Sequence, residues 1–129
     1  MIGMVLVTHG ALAIEFKSAL EHVVGPQDFV ETVAIGPDDD MEQRRNDILA
    51  CVDAADQGAG VVILTDMFGG TPSNLAISVM QNRDVEVIAG VNLPMLVRTL
   101  TYRNNDLRTL IAKALSGGRE GVIHFTDLD

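Results

Sequence analysis

Three observations predict an α/β chain built on a mainly parallel sheet with helices on both faces. Short apolar, β-branched runs alternate with helical patterns along the whole length. Aromatic residues are only 4% of the chain, so the core must be built from Val, Ile, Leu, Ala and Met. Such side chains suit helices packed tightly on a parallel sheet. Glycine is plentiful, proline is not, and apolar residues reach 47%, a composition that folds. Right-handed crossovers then leave few topologies, and the flavodoxin-like order 2-1-3-4 is the one expected.

The elements follow in order. Residues 1–8 read as a buried strand ended by Gly10. Residues 11–24 read as a helix, with Leu12, Phe16, Ala19 or Leu20, and Val23 at helical spacing and Gly25-Pro26 as its stop. A second strand spans 29–35 and turns at Gly36-Pro37. Asp38, Asp39 and Asp40 stand where a helix N-terminus favours negative charge. The helix behind them runs to about Asp56, with Ile48, Leu49, Val52 and Ala55 facing inward. Residues 58–65 (GAGVVILT) are the clearest buried strand. Thr71 then suits an N-cap and Pro72 a first helical position, for a helix reaching about Gln81. A fourth strand spans 85–89, and Asn92 caps the next helix, which Asn104-Asn105-Asp106 breaks. Residues 107–116 form a last helix ended by Gly117-Gly118, and 121–125 a short C-terminal strand. The 129 residues make one domain, 1–129, with no repeat and no linker.

A net charge of -9 disfavours nucleic acid and anionic membrane surfaces, and fits docking on a basic partner. Cys51 is the single cysteine, which points to a reducing compartment. The opening MIGMVLVTHG lacks a basic region, and its apolar run is too short for a signal peptide or a membrane span. A cytoplasmic location without membrane insertion is therefore expected.

In an open α/β sheet, ligands bind beyond the carboxyl ends of the strands where the winding reverses. In the order 2-1-3-4 that point lies between the first and third strands. The residues just past them are Thr8-His9-Gly10 and Asp66-Met67-Phe68-Gly69-Gly70-Thr71. His9 and Asp66 are thus expected at one edge. A carboxylate that accepts from one imidazole nitrogen fixes the tautomer and frees the other nitrogen as a nucleophile. Imidazole, with an ordinary pKa of about 6.5, is available in its neutral form near neutral pH. Gly69, Gly70 and Thr71 can offer backbone N–H groups and a hydroxyl to the oxygens of a transferred phosphoryl group. No metal and no cofactor is called for. The glycines are neither a P-loop, since the Lys-Ser/Thr is missing, nor a dinucleotide fingerprint. Each feature alone has a plain structural explanation; their convergence makes the site. His22, His124 and Cys51 read as structural, and Arg98 and Arg103 as solvated surface residues.

At these residues the chain resembles the enzyme IIA (EIIA) component of the mannose-family phosphoenolpyruvate-dependent sugar phosphotransferase system. The resembling segments are VTHG (7–10), TDMFGGTPSN (65–74), VIAGVNLPMLV (87–97) and GREGV (118–122), in the family's order. The resemblance implies a phosphocarrier: His9 accepts the phosphoryl group, Asp66 pairs with it, and Thr71 helps hold the phosphate. It implies docking along Phe68, Pro72, Asn92, Pro94 and Met95. The donor it implies is the histidine-containing phosphocarrier protein HPr, charged by enzyme I, and the usual acceptor a IIB component. Some members carry tryptophan where Phe68 stands. Others fuse IIA to IIB, whereas this chain stops at Asp129, so the acceptor is expected on a separate chain. The family also implies a homodimer that exchanges its final strand, with the glycine-rich 117–121 segment as hinge. Two other functions compete: a phosphocarrier subunit for a dihydroxyacetone kinase, which the DMFGGTP and GVNLPM stretches fit poorly, and a non-catalytic regulatory module binding a partner or small anion at the same edge.

Overall fold

The computed structural model describes residues 1–80 and 84–128. Its sheet has four parallel strands, β1 (Gly3–His9), β2 (Val30–Ile35), β3 (Val61–Thr65) and β4 (Val85–Ala89), in the order β2-β1-β3-β4. Five helices alternate with or follow them: α1 (Leu12–Val24), α2 (Met41–Ala55), α3 (Thr71–Ser78), α4 (Leu93–Thr101) and α5 (Leu107–Glu120). The expected fold class and strand order are those observed.

Alternate strand residues feed two separate cores, as the two-residue period of a strand requires. Met4, Leu6, Val62, Leu64 and Ile88 pack with Ala13 and Leu20 of α1, Met95 and Leu96 of α4, and Leu110 and Ala114 of α5. Val5, Val7, Val61 and Ile63 face the other way, onto Ile48, Val52 and Ala55 of α2 and Ala76 of α3. β1 and β3 are buried on both faces, which is why their sequences read as unbroken apolar runs.

Several local expectations shift. In α1, Ala13, Phe16 and Leu20 face the sheet, while Leu12 and Val23 are exposed. The phase is set at the first turn, where the buried Thr8 hydroxyl accepts the Ala13 N–H at 2.6 Å. The aspartate run divides its labour: Asp40 caps α2 by accepting from the N–H of Glu42 and Gln43, and Asp39 accepts from the Gly36 N–H. α3 begins one residue earlier than expected, with Gly70 as the N-cap and Thr71 inside, and the expected end near Gln81 lies outside the described residues.

The larger correction concerns the C-terminus. Gly117 and Gly118 do not stop α5, which continues to Glu120. Both are buried against α4: a Cβ on Gly117 would lie 2.5 Å from Arg98 Cβ, and one on Gly118 2.6 Å from Met95 Cε. A Cβ on Gly121 would collide with Pro94. These glycines let two helices approach closely, a use that outweighs glycine's poor helix propensity. Beyond them residues 121–125 form no strand; Phe125–Asp127 is a 3-10 turn, and Val122, Ile123, Phe125 and Leu128 are exposed. A strand needs a neighbour to satisfy its backbone, and among the described residues no strand pairs with this tail.

Arg103 also departs from expectation. It is 4% exposed, at the N-terminal edge of the sheet. Its guanidinium donates to the carbonyls of Ile2 (2.9 Å), Asp28 (2.8 Å) and Phe29 (2.9 Å), and its own carbonyl accepts the Ile2 N–H at 2.8 Å. Burial pulls its pKa down and the Asp28 charge opposes this; a guanidinium stays protonated regardless. One side chain thereby ties the start of β1 and the entry to β2 to the end of α4.

Two stability measurements check these roles. Gly117→Ala, which at an open helical site would gain about 1 kcal/mol, should instead lose about 1–3 kcal/mol in a denaturant melt through the clash with Arg98. Arg103→Met should cost about 2–3 kcal/mol by leaving buried carbonyls without donors, and Arg103→Lys should recover little because an ammonium cannot span three acceptors.

Candidate functional site at the carboxyl edge of the sheet

His9 is the last residue of β1 and Asp66 the first residue after β3. Because Val7 pairs with Thr65 in adjacent parallel strands, the two side chains leave the sheet side by side. The turn after His9 is made by Gly10, whose φ of 53° favours glycine, and whose N–H is anchored on the Ile35 carbonyl at 2.8 Å.

The imidazole and carboxylate meet directly. Asp66 Oδ2 lies 2.8 Å from His9 Nδ1 and also accepts the His9 backbone N–H at 3.1 Å. Asp66 Oδ1 accepts the Met67 N–H at 3.1 Å, so both carboxylate oxygens are fixed. Burial pushes the Asp66 pKa up, but the hydrogen bonds and charge of His9 outweigh it and hold the carboxyl below its usual value. An ionised carboxylate accepts only, so Nδ1 carries a proton, and in the neutral imidazole Nε2 keeps its lone pair. The Asp66 side chain is 13% exposed and the His9 side chain 47%, so the carboxylate is sheltered and the imidazole open.

Nε2 faces the glycine loop. A Cβ on Gly70 would lie 2.7 Å from His9 Cε1 and 2.9 Å from Nε2, so only glycine allows the ring its position. Gly69, with a φ of 91°, makes the turn, and Thr71 opens α3 on the exposed side. Inside the loop, the Ser73 hydroxyl accepts the Gly69 N–H at 3.0 Å and donates to the Gly70 carbonyl at 3.0 Å. A cleft of about 380 Å³ opens beside the ring, bounded by His9 and Gly10, by Gly36, Pro37 and Asp39 of the β2–α2 loop, and by Thr71.

The expected pair His9–Asp66 and the loop Gly69-Gly70-Thr71 thus meet in space. The residues expected to dock a partner differ in exposure. Phe68 is 77% exposed beside the site, and Pro94 is exposed on α4. Pro72 and Met95, by contrast, are buried, Met95 at 5% exposure, and present no docking surface in this chain. Asn92 is half-buried in an internal role: its Oδ1 accepts the Met95 N–H at 2.9 Å and its Nδ2 donates to the Gly118 carbonyl at 3.0 Å. Two parts of the site escaped the sequence reading. Ser73 gave only the signal of a small hydroxyl residue two places into a glycine-led helix. The wall containing Asp39 was signalled by Gly36-Pro37, the turn after β2, which leaves the sheet at the same edge as His9.

The remaining chemistry-bearing groups lie elsewhere. His22 is exposed in the last turn of α1, and His124 Nδ1 pairs with Asp127 at 2.9 Å in the tail. Burial, then the charges of Glu31 and Asp47, push the Cys51 thiol pKa up, which keeps it protonated and unreactive. Among the described residues, no group of three or more His, Cys, Asp or Glu side chains could hold a metal ion. No described helix is long and apolar enough to cross a membrane.

With this geometry in place, comparison with known proteins is informative. Residues 3–115 match the EIIA-man family model, described as the PTS system fructose IIA component. The chain is 37% identical over 124 residues to the PTS system mannose-specific EIIAB component of Escherichia coli K12, covering 94% of this chain and 38% of that relative. The chain thus spans about two-fifths of that relative's length. It is 29% identical over 103 residues to the PTS system sorbose-specific EIIA component of Lacticaseibacillus casei, covering 79% of this chain and 74% of the other. The crystal structure of phosphotransferase system component EIIA from Streptococcus agalactiae superposes with a TM-score of 0.90 at 25% identity, covering 99% of this chain and 100% of that one. Fold, family model and relatives agree: the chain belongs to the mannose-family EIIA components of the sugar phosphotransferase system.

Proposed function

We propose that this EIIA chain carries a phosphoryl group on Nε2 of His9, taken from phosphohistidine on HPr and passed to a IIB component on a separate chain. The observation that carries the reading is the 2.8 Å contact between His9 Nδ1 and Asp66 Oδ2, which leaves Nε2 open to the cleft. In the forward step the Nε2 lone pair attacks phosphorus, and the P–N bond to the donor histidine breaks. The bonding pair returns to the donor ring. The proton on Nδ1 stays in place, so the phosphorylated ring becomes cationic and Asp66 offsets that charge. The amides of Gly70 and Thr71, with the Thr71 hydroxyl, would receive the phosphoryl oxygens at the start of α3, while the Gly69 N–H is taken by Ser73. Onward transfer reverses the geometry.

The same reading takes residues 1–129 as one EIIA domain working as a homodimer. The exposed apolar side chains Val122, Ile123, Phe125 and Leu128 support it, because an exchanged tail would find cover on a second copy.

Incubation with phosphoenolpyruvate, enzyme I and HPr should add one acid-labile phosphoryl group, seen by intact mass. His9→Ala should remain unlabelled. Wild type left unlabelled by an active donor would overturn the carrier reading. Asp66→Asn should slow transfer on the order of 10²-fold, since an amide can present the wrong partner to Nδ1 and carries no charge.

The depressed Asp66 pKa also sets a pH dependence. Its native value lies below the unfolded one, so the stabilisation is complete above the ordinary carboxylate pKa, about 3.9, and fades as pH falls through the native value. The stability difference between wild type and Asp66→Asn, followed by denaturant melts, should therefore shrink as pH falls below about pH 4. A difference that grew on acidification would contradict the assignment.

A further inference from the structure

The glycine loop beside His9 is not held by its own residues. Gly69 and Gly70 have no side chains, and the turn at Gly69 is one that few sequences hold unaided. What fixes it is a buried hydroxyl one turn into α3. Ser73 is fully buried, and its Oγ takes the Gly69 N–H at 3.0 Å while giving its proton to the Gly70 carbonyl at 3.0 Å. The two peptides that flank the Gly69–Gly70 link, through the Gly69 N–H and the Gly70 carbonyl, are thus both held by one atom.

The clamp has a directional consequence. The Gly70 carbonyl also accepts the Asn74 N–H at 3.1 Å, so it points down the helix. A trans peptide is planar, with its N–H opposed to its C=O. The Thr71 N–H, which shares that plane, therefore points out of the helix N-terminus. Gly70 itself sits against His9 Nε2. The N–H groups of Gly70 and Thr71 carry no backbone hydrogen bond among the described residues.

We infer that Ser73 is a positioning residue for phosphoryl transfer: by holding the Gly69 N–H and the Gly70 carbonyl, its hydroxyl pre-sets the Gly70 and Thr71 amides beside the imidazole before any phosphoryl group arrives. The inference rests on reading His9 as the phosphoryl acceptor. Ser73 does not line the cleft and makes no hydrogen bond to His9, so it acts only through the loop. Donors oriented in advance favour the transition state because no reorganisation is needed at the moment of transfer. A loop free to turn its carbonyls outward would instead present partial negative charge to an incoming anion.

The test uses the full chain with phosphorylated HPr as donor and rapid-quench measurement of the single phosphoryl group on this protein. Ser73→Ala should lower kcat on the order of tenfold, with KM for phospho-HPr within about twofold of wild type. Ser73→Thr, which keeps the hydroxyl, should restore most of the rate. A folded Ser73→Ala with wild-type kcat, or one whose loss lies in KM alone, overturns the proposal. An Ala variant that does not fold shifts the decision to amide exchange in wild type. There the Gly69 N–H, in an exposed loop residue, should exchange at least on the order of tenfold more slowly than an unprotected amide. Exchange at the unprotected rate overturns the clamp. Failure of wild type itself to accept the group is a separate result, and it removes the acceptor reading of His9.

Discussion

The parallel pairing of β1 with β3 is the constraint on which the rest depends. With Val7 opposite Thr65, β1 ends two residues later at His9, and β3 yields to Asp66 one residue later. A slip of one residue would turn every side chain of a strand to the opposite face. Both faces are filled by different helices, Met4, Leu6, Val62 and Leu64 on one side and Val5, Val7 and Ile63 on the other. Two cores therefore enforce the register together. The His9–Asp66 pair takes its precision from packing in which neither of its members takes part.

Around that pair, each group is oriented by a neighbour that cannot itself react. The carboxylate of Asp66 is held by two backbone amides as well as by the ring. The ring is bounded by a glycine that has nothing to move aside. The hydroxyl beneath the loop answers the hydrogen-bonding needs of the two glycines that flank the ring. Polar groups satisfied in this way are stiff.

Much of this was legible in the sequence. Strand and helix alternation yielded the sheet order, because parallel crossovers admit few alternatives. The meeting of His9 with Asp66 followed from strand ends alone. What escaped was decided by tertiary contact. Gly117 and Gly118 look like a helix stop because glycine usually is one, and only the nearness of Arg98 and Met95 gives them another use. Arg103 looks like a surface cation because no local pattern reports three carbonyls arriving from residues 2, 28 and 29. Leu12 and Val23 fit the helical period as well as Ala13 and Leu20 do, and a hydrogen bond from the Ala13 N–H to the Thr8 hydroxyl settled the phase. Met95 lies in a recognisable motif, but burial and motif membership are different properties.

The Arg103 tie and the His9 site sit at opposite ends of the same strands. The tie closes the end where β1 and β2 begin, and the site occupies the end where β1 and β3 finish. Heritable change can therefore act on durability and on reactivity almost independently. Sequence drift around the amino ends of the strands alters how long the molecule lasts and leaves its chemistry alone. Drift in the loops at the carboxyl ends alters the His9 edge while the scaffold keeps its lifetime. A family built on this plan can diversify its clientele without first having to re-solve the problem of folding.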